Sequence, residues 1–222
     1  MKLLKITAIA SLLAASGAAS AVEISGNVAL TTDYVWRGIS QTDGSPAIQG
    51  GFDAGFGNGL YTGIWASNVD FGGDESMELD VYAGWAGEFK SVGVDIGVLH
   101  YAYPTSAPDT DFTEAYAGLS YGPASLTQYF GFDAGSDDIG DVDFGNYTDL
   151  GLDLGEYNGI TLAVHAGHYD RKSGSDDYWD WRLAASTSLF GVDWEVAYSD
   201  VDNANEDRND DPNLVLTVSK SL

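Results

Sequence analysis

The sequence predicts an all-β fold: a 12-stranded antiparallel transmembrane β-barrel after a cleaved signal peptide. Three observations carry this. Apolar and polar residues alternate along most of the chain after residue 21, short and long connections alternate strictly, and no segment of helical period occurs there. Alternation of period two places one apolar and one polar face on each strand.

Residues 1–21 read as the export signal. Lys2 and Lys5 form a basic start, "ITAIASLLAA" is a short apolar run, and Ala19-Ser20-Ala21 is an A-x-A cleavage site. The remaining domain is 22–222. Its strands are expected near 22–36, 46–57, 60–69, 76–89, 91–103, 111–121, 124–133, 146–155, 159–169, 177–190, 191–199 and 212–222. In the first, Val22, Ile24, Val28 and Leu30 alternate with Glu23, Ser25, Asn27 and Thr31. In the fourth, Met77, Leu79, Val81, Ala83 and Trp85 alternate with Glu78, Asp80 and Tyr82. In the seventh, Gln128 interrupts the apolar face. In the eighth, Leu150, Leu152 and Leu154 alternate with Asp149 and Asp153, and in the tenth Trp179, Trp181 and Leu183 alternate with Asp180 and Arg182. The last strand runs to the end of the chain, with Leu214, Leu216, Val218 and Lys220 on one face.

The connections set the topology. "NG" (58–59), "KS" (90–91), "GP" (122–123), "EYNG" (156–159) and "FG" (190–191) are short, whereas the intervening ones are long and polar. Outer-membrane barrels have that layout, with short periplasmic turns and longer external loops. A soluble up-and-down barrel also alternates. Two features favour the membrane form: the apolar faces are unbroken on nearly every strand, and Trp and Tyr gather at strand ends, as in an interfacial girdle.

Of 222 residues, 34 are acidic and nine basic; without Lys2 and Lys5 the net charge is −27. Such a chain does not bind a nucleic-acid backbone, which requires Lys and Arg. No cysteine is present, which excludes disulfides, thiolate metal sites and a Cys nucleophile.

"DYVWRGISQTDGSPAIQGGFD" (33–53) resembles the amino-terminal motif of the TorF-type porin family, the Gcw_chp outer-membrane proteins of proteobacteria. "ASNVDF", "MELDVYAGWAGEF", "GVLHYAYP", "TEAYAGLSYG", "GHYD" and "DWRLAASTSLFG" follow in the family's order, across essentially the whole chain after residue 21. The resemblance implies an outer-membrane barrel of a Gram-negative bacterium. It supplies no catalytic residue and assigns no solute. Many outer-membrane barrels finish on an aromatic residue, and this one finishes on Leu222.

If the apolar faces meet lipid and lipopolysaccharide, parity turns Asp53, Glu78, Asp80, Asp95, Glu114, Asp149, Asp153, Asp180, Asp193 and Glu195 into the lumen, with Arg37 and Arg182 as inward basic residues. A lumen of one charge sign favours counter-ions of the other. The expected function is a narrow channel for passive diffusion of small cationic or neutral solutes. A closed barrel with a structural, receptor or adhesin role stays open as the alternative. The lumen and selectivity candidates are Arg37, Glu78, Asp80, Glu114, Asp149, Asp153, Asp180 and Arg182. Arg37 is expected to brace the first loop against lumen carboxylates as a bidentate donor. Tyr34, Trp36, Trp179 and Trp181 are the expected interface aromatics.

Catalysis is not expected. His100 faces lipid by parity with no Ser identified at its depth, and His165 points to the lumen beside small residues. There is no G-x-S-x-G. No cofactor or metal is expected: "DVDNANEDRNDD" lacks the calcium-loop spacing, with Ala204 following Asp200 and Asp202.

Overall fold

The computed structural model describes residues 22–104, 111–132, 145–171, 177–202 and 212–222. The expected signal segment and most of four expected loops, at 105–110, 133–144, 172–176 and 203–211, lie outside them. Among the described residues the strands are β1 (Glu23–Thr31), β2 (Val35–Trp36), β3 (Ile39–Ser40), β4 (Ala47–Gly55), β5 (Leu60–Asn68), β6 (Met77–Phe89), β7 (Val92–Ala102), β8 (Phe112–Tyr121), β9 (Ala124–Phe132), β10 (Asn146–Tyr157), β11 (Ile160–Asp170), β12 (Tyr178–Leu189), β13 (Val192–Asp202) and β14 (Asn213–Ser221). Twelve of them, all but β2 and β3, pair antiparallel with their chain neighbours, and β1 pairs with β14 to close the barrel.

The fold is a 12-stranded transmembrane β-barrel, and its two faces show why. Ile24, Leu30, Phe52, Ile64, Val81, Ile96, Leu119, Leu150, Leu183, Val196 and Leu214 are exposed on the outside. A continuous apolar exterior of this kind is far larger than a soluble monomer carries. The buried interior holds tyrosines and carboxylates instead. A closed barrel leaves no sheet edge unpaired, as lipid requires.

Several polar groups on the outer face are paired. Gln128 faces outward opposite Thr148 on β10; its Oε1 accepts from Thr148 Oγ1 at 2.7 Å, and its Nε2 donates to the Tyr129 and Tyr147 carbonyls at 3.0 and 3.1 Å. The glutamine that interrupts the apolar pattern therefore costs little desolvation. His100 Nδ1 lies 3.0 Å from Thr113 Oγ1 on the same face. Lys220 reaches the Gly191 carbonyl at the turn-side rim, as a long side chain near the interface does.

Strand bounds depart from the expectation at β13, which runs on to Asp202 instead of 199, and at β1 and β10. β1 ends at Thr31, well short of 36, and the chain leaves the wall there. β10 runs on to Tyr157 through an irregularity between Asp153 and Gly155, where the Asp153 carboxylate accepts the Gly155 N–H at 2.7 Å.

The lipid-facing parity carries a depth test on β12. Leu183→Arg, in the middle of the strand, is expected to destabilise the reconstituted barrel by about 2–4 kcal/mol, and Leu189→Arg, beside the turn, by about 0–1 kcal/mol. Urea unfolding from liposomes measures both; a soluble barrel would tolerate both exposed leucines alike.

Candidate functional site: a lumen closed around Arg37

After Thr31 the chain turns inward. Val35–Trp36 and Ile39–Ser40 pair as a two-residue hairpin with Arg37 and Gly38 at its tip. Both tip residues have positive φ, 50° and 81°, the pattern of a type I′ turn. Glycine accepts that geometry freely. Arginine does not, at a cost of about 1–2 kcal/mol. Asp33 holds the base of the hairpin: its Oδ1 accepts from Ser40 Oγ at 2.6 Å and from Thr42 Oγ1 at 2.8 Å. Asp70 N donates to the Gln41 carbonyl at 2.8 Å and ties the loop to the next one.

The hairpin reaches the wall on many sides. Tyr34 packs edge-on to Trp65 on β5 and donates to Glu78 Oε1 on β6 at 2.7 Å. Trp36 packs edge-on to Tyr101 on β7, Phe112 on β8 and Tyr169 on β11. Gly38 lies against Asp180 on β12 and Val201 on β13, where an added Cβ would stand 2.8 and 2.3 Å from side-chain carbons. Tyr34 and Trp36 are therefore lumen residues, and their expected place at the lipid interface is corrected. Parity along strand 1 would have set them outside, but the strand has already ended when they are reached.

Arg37 is the centre of this arrangement. Its Nη2 donates to Glu114 Oε2 at 2.7 Å, with side-chain exposures of 5% and 0%. Its guanidinium carbon lies 4.1 Å from the Trp36 ring centroid, 4.2 Å from Tyr147, 5.0 Å from Tyr169 and 5.1 Å from Tyr129. Each cation–π contact of a desolvated guanidinium contributes about 0.5–2 kcal/mol. Together they offset part of the several kcal/mol that each buried ion costs. The contact with Glu114 uses one nitrogen, not the expected bidentate fork: Arg37 Nη1 and Glu114 Oε1 find no hydrogen-bond partner among the described residues.

Four other carboxylates on the inner wall are met by tyrosine hydroxyls. Glu78, 2% exposed, also accepts from Tyr103 at 2.7 Å. Glu114 also accepts from Tyr101 at 3.1 Å. Asp95 accepts from Tyr61 at 2.6 Å, and Asp53 from Tyr82. Asp180 accepts from Tyr147 at 2.9 Å and lies 2.8 Å from His165 Nε2. Asp149 stands 3.5 Å from the other ring nitrogen of His165. Arg182 pairs with Glu195. Asp80 is buried, with Oδ1 lacking a hydrogen-bond partner among the described residues. Asp153 lines the turn-side half, where it caps the irregularity of β10.

Two parts of the lumen were not anticipated. His165 is set between two carboxylates and a tyrosine, not beside small residues alone. The neighbouring wall position is Gly167, whose missing side chain leaves room for the Tyr147 hydroxyl and the Asp180 carboxylate. Nine of the thirteen tyrosines (Tyr61, Tyr82, Tyr101, Tyr103, Tyr116, Tyr129, Tyr147, Tyr169 and Tyr178) are buried inside instead of forming a girdle. Tyr116, Tyr129, Tyr147, Tyr169 and Tyr178 stand directly opposite one another on successive strands β8 to β12, so they form one continuous row across the wall. Their parity with Glu114, Asp149 and Asp180 was the available signal. Trp179 and Trp181 lie on the outer face near the loop-side end of β12, against His168 and Tyr198.

Similarity to known proteins adds the family. Residues 15–221 match the family model described as "Bacterial protein of unknown function (Gcw_chp)". The chain belongs to the Gcw_chp family. No curated protein matches it. Among solved structures, this Gcw_chp chain resembles one titled "KdgM porin" at 10% identity and a TM-score of 0.58, over 89% of this chain and 97% of that one. It also resembles "KdgM porin in complex with disordered oligogalacturonate" at 10% identity and a TM-score of 0.56, over 90% and 98%. At such identity the likeness is one of fold.

The two glycines of the inward loop separate backbone strain from contact with the wall. Gly44→Ala has φ 68° and no atom within 4 Å of the new Cβ, so it is expected to cost about 1–2 kcal/mol from φ alone. Gly38→Ala meets Val201 and Asp180 as well and is expected to cost clearly more. Urea unfolding of the two variants in liposomes reads the difference, and equal costs would place Gly38 away from the wall.

Proposed function

We propose that this protein is an outer-membrane porin with a narrow, acidic lumen for passive diffusion of small cationic or neutral solutes. The observation that carries the reading is the charge of the partly exposed lumen. Asp53, Asp95, Asp149, Asp153, Asp193 and Glu195 line it, against Arg182 as the basic residue on the same inner wall. Such a surface concentrates cations and repels anions. Twelve strands enclose less space than the sixteen to eighteen of wide porins, and the hairpin of β2 and β3 narrows it further. Within the family, the motif around Arg37 aligns the chain with the TorF-type porins. Residues 1–21 act as the cleaved export signal, 22–222 as the barrel, and lipid and lipopolysaccharide surround its apolar exterior. The lumen groups bind and orient ions and solutes, and no catalytic step is assigned to them.

A second reading is favoured by one observation. The buried Arg37 hairpin touches wall residues from β5 round to β13 at the loop side, as a plug in a closed structural or receptor barrel would.

Conductance in planar bilayers under a salt gradient decides between them. The porin reading expects a cation-selective reversal potential. Asp153→Asn combined with Asp193→Asn is expected to move it toward zero. The shift is expected to shrink as salt approaches 1 M, where the screening length is about 3 Å. A folded barrel that carries no current overturns the porin reading in favour of the closed one. An unmoved potential removes these carboxylates from the permeation path.

A further inference from the structure

The contacts of Arg37 describe a ligand site as much as a structural brace. Four aromatic rings surround one guanidinium, three of them, Tyr129, Tyr147 and Tyr169, on the barrel wall. Glu114 on the wall supplies the counter-charge and is 0% exposed. Tyr101 donates to the same Glu114 oxygen that accepts from Arg37, which orients the carboxylate. The wall part of this cage comes from β7 to β11, whereas its occupant arrives on a separate hairpin. The occupant fits imperfectly. It is held at a φ of 50°, engages Glu114 through one nitrogen, and leaves Nη1 and Glu114 Oε1 without partners among the described residues. A guanidinium free of the hairpin can align both nitrogens with both carboxylate oxygens, the arrangement that a planar fork prefers.

We propose that Glu114, Tyr101, Tyr129, Tyr147 and Tyr169 form a guanidinium-binding site that Arg37 occupies as a tethered ligand. A small solute bearing a guanidinium group takes the site when the hairpin withdraws. This deepens the porin reading by naming a solute class, and rests on that reading for the entry of the solute. The tether sets the hierarchy: an attached group acts at an effective concentration on the order of millimolar, so a free solute competes weakly while Arg37 is in place. Removing the side chain exposes the site.

The test uses purified full-length barrel in detergent and methylguanidinium chloride as the probe. Arg37→Gly empties the cage, and glycine accepts the positive φ of that position. Its thermal midpoint is expected to fall below that of the unsubstituted protein and to rise saturably with millimolar methylguanidinium. Sodium chloride at equal ionic strength is expected to give no such rise. Methylammonium is expected to act roughly tenfold more weakly, because it lacks the planar fork. In Arg37→Gly combined with Glu114→Gln the rise is expected to vanish. If Arg37→Gly does not fold alone, refolding yield with and without the probe reads the same comparison. A midpoint or yield that ignores methylguanidinium, follows sodium chloride equally, or responds as strongly without the Glu114 charge overturns the proposal. None of these readouts uses ion flow, so a non-conducting barrel that responds to the probe keeps the site and rejects the porin reading.

Discussion

The lumen is organised around one buried guanidinium that stays charged and must be paired. An arginine stays protonated at any accessible pH, so burial cannot neutralise it. The barrel exterior is apolar, and the charge can be met only from within. Glu114 supplies the opposite charge, and the tyrosine row supplies ring faces and hydroxyls around it. Those tyrosines share an inward level on successive strands, and the register of β8 through β12 sets the row directly opposite one another. The hairpin that carries Arg37 must leave the wall early, which shortens β1.

The same constraint explains how an interior rich in carboxylates holds together. Tyrosine is a suitable partner for a carboxylate in a narrow lumen: its ring fills space, and its hydroxyl donates one hydrogen bond without adding charge. Tyr34 and Tyr103 serve Glu78, Tyr61 serves Asp95, Tyr82 serves Asp53 and Tyr147 serves Asp180. Glycines make room for them: Tyr82 lies over Gly63, Tyr116 over Gly97 and Tyr147 over Gly167, each at a distance where a Cβ would collide. Tyrosine thus packs against glycine along the inner wall, and the carboxylates nearer the short turns, Asp53, Asp95, Asp153, Asp193 and Glu195, are only partly buried.

The wall was readable from period-two alternation because lipid imposes it: each strand must turn its apolar residues one way, and the short turns fix where each strand ends. Glu78, Asp80, Glu114 and Asp180 could therefore be placed on the inner wall from parity. Their partners could not, because pairing depends on register and stagger between strands. The tyrosines shared parity with these carboxylates, yet their reputation as interface residues pointed the other way. The hairpin was hidden because Tyr34 and Trp36 continue the strand's parity by coincidence. The local signal was Arg37-Gly38 between Val-Trp and Ile-Ser, an X-Gly pair flanked by strand formers, which is how a two-residue hairpin reads. His165 gained its acidic neighbours across Gly167, a convergence visible only once the strands are aligned.

The central claim is that Arg37 and Glu114 meet inside the barrel. A double-mutant cycle with Arg37→Ala and Glu114→Gln, measured by urea unfolding from liposomes, tests it most directly. Removing one partner leaves the other buried and unpaired, so each single substitution is predicted to cost about 3–5 kcal/mol. The double variant is predicted to cost far less than the two together, a non-additivity that only interacting residues produce. Single costs below about 0.5 kcal/mol that simply add, as for independent surface sites, would contradict the account, because Arg37 would then lie outside the lumen.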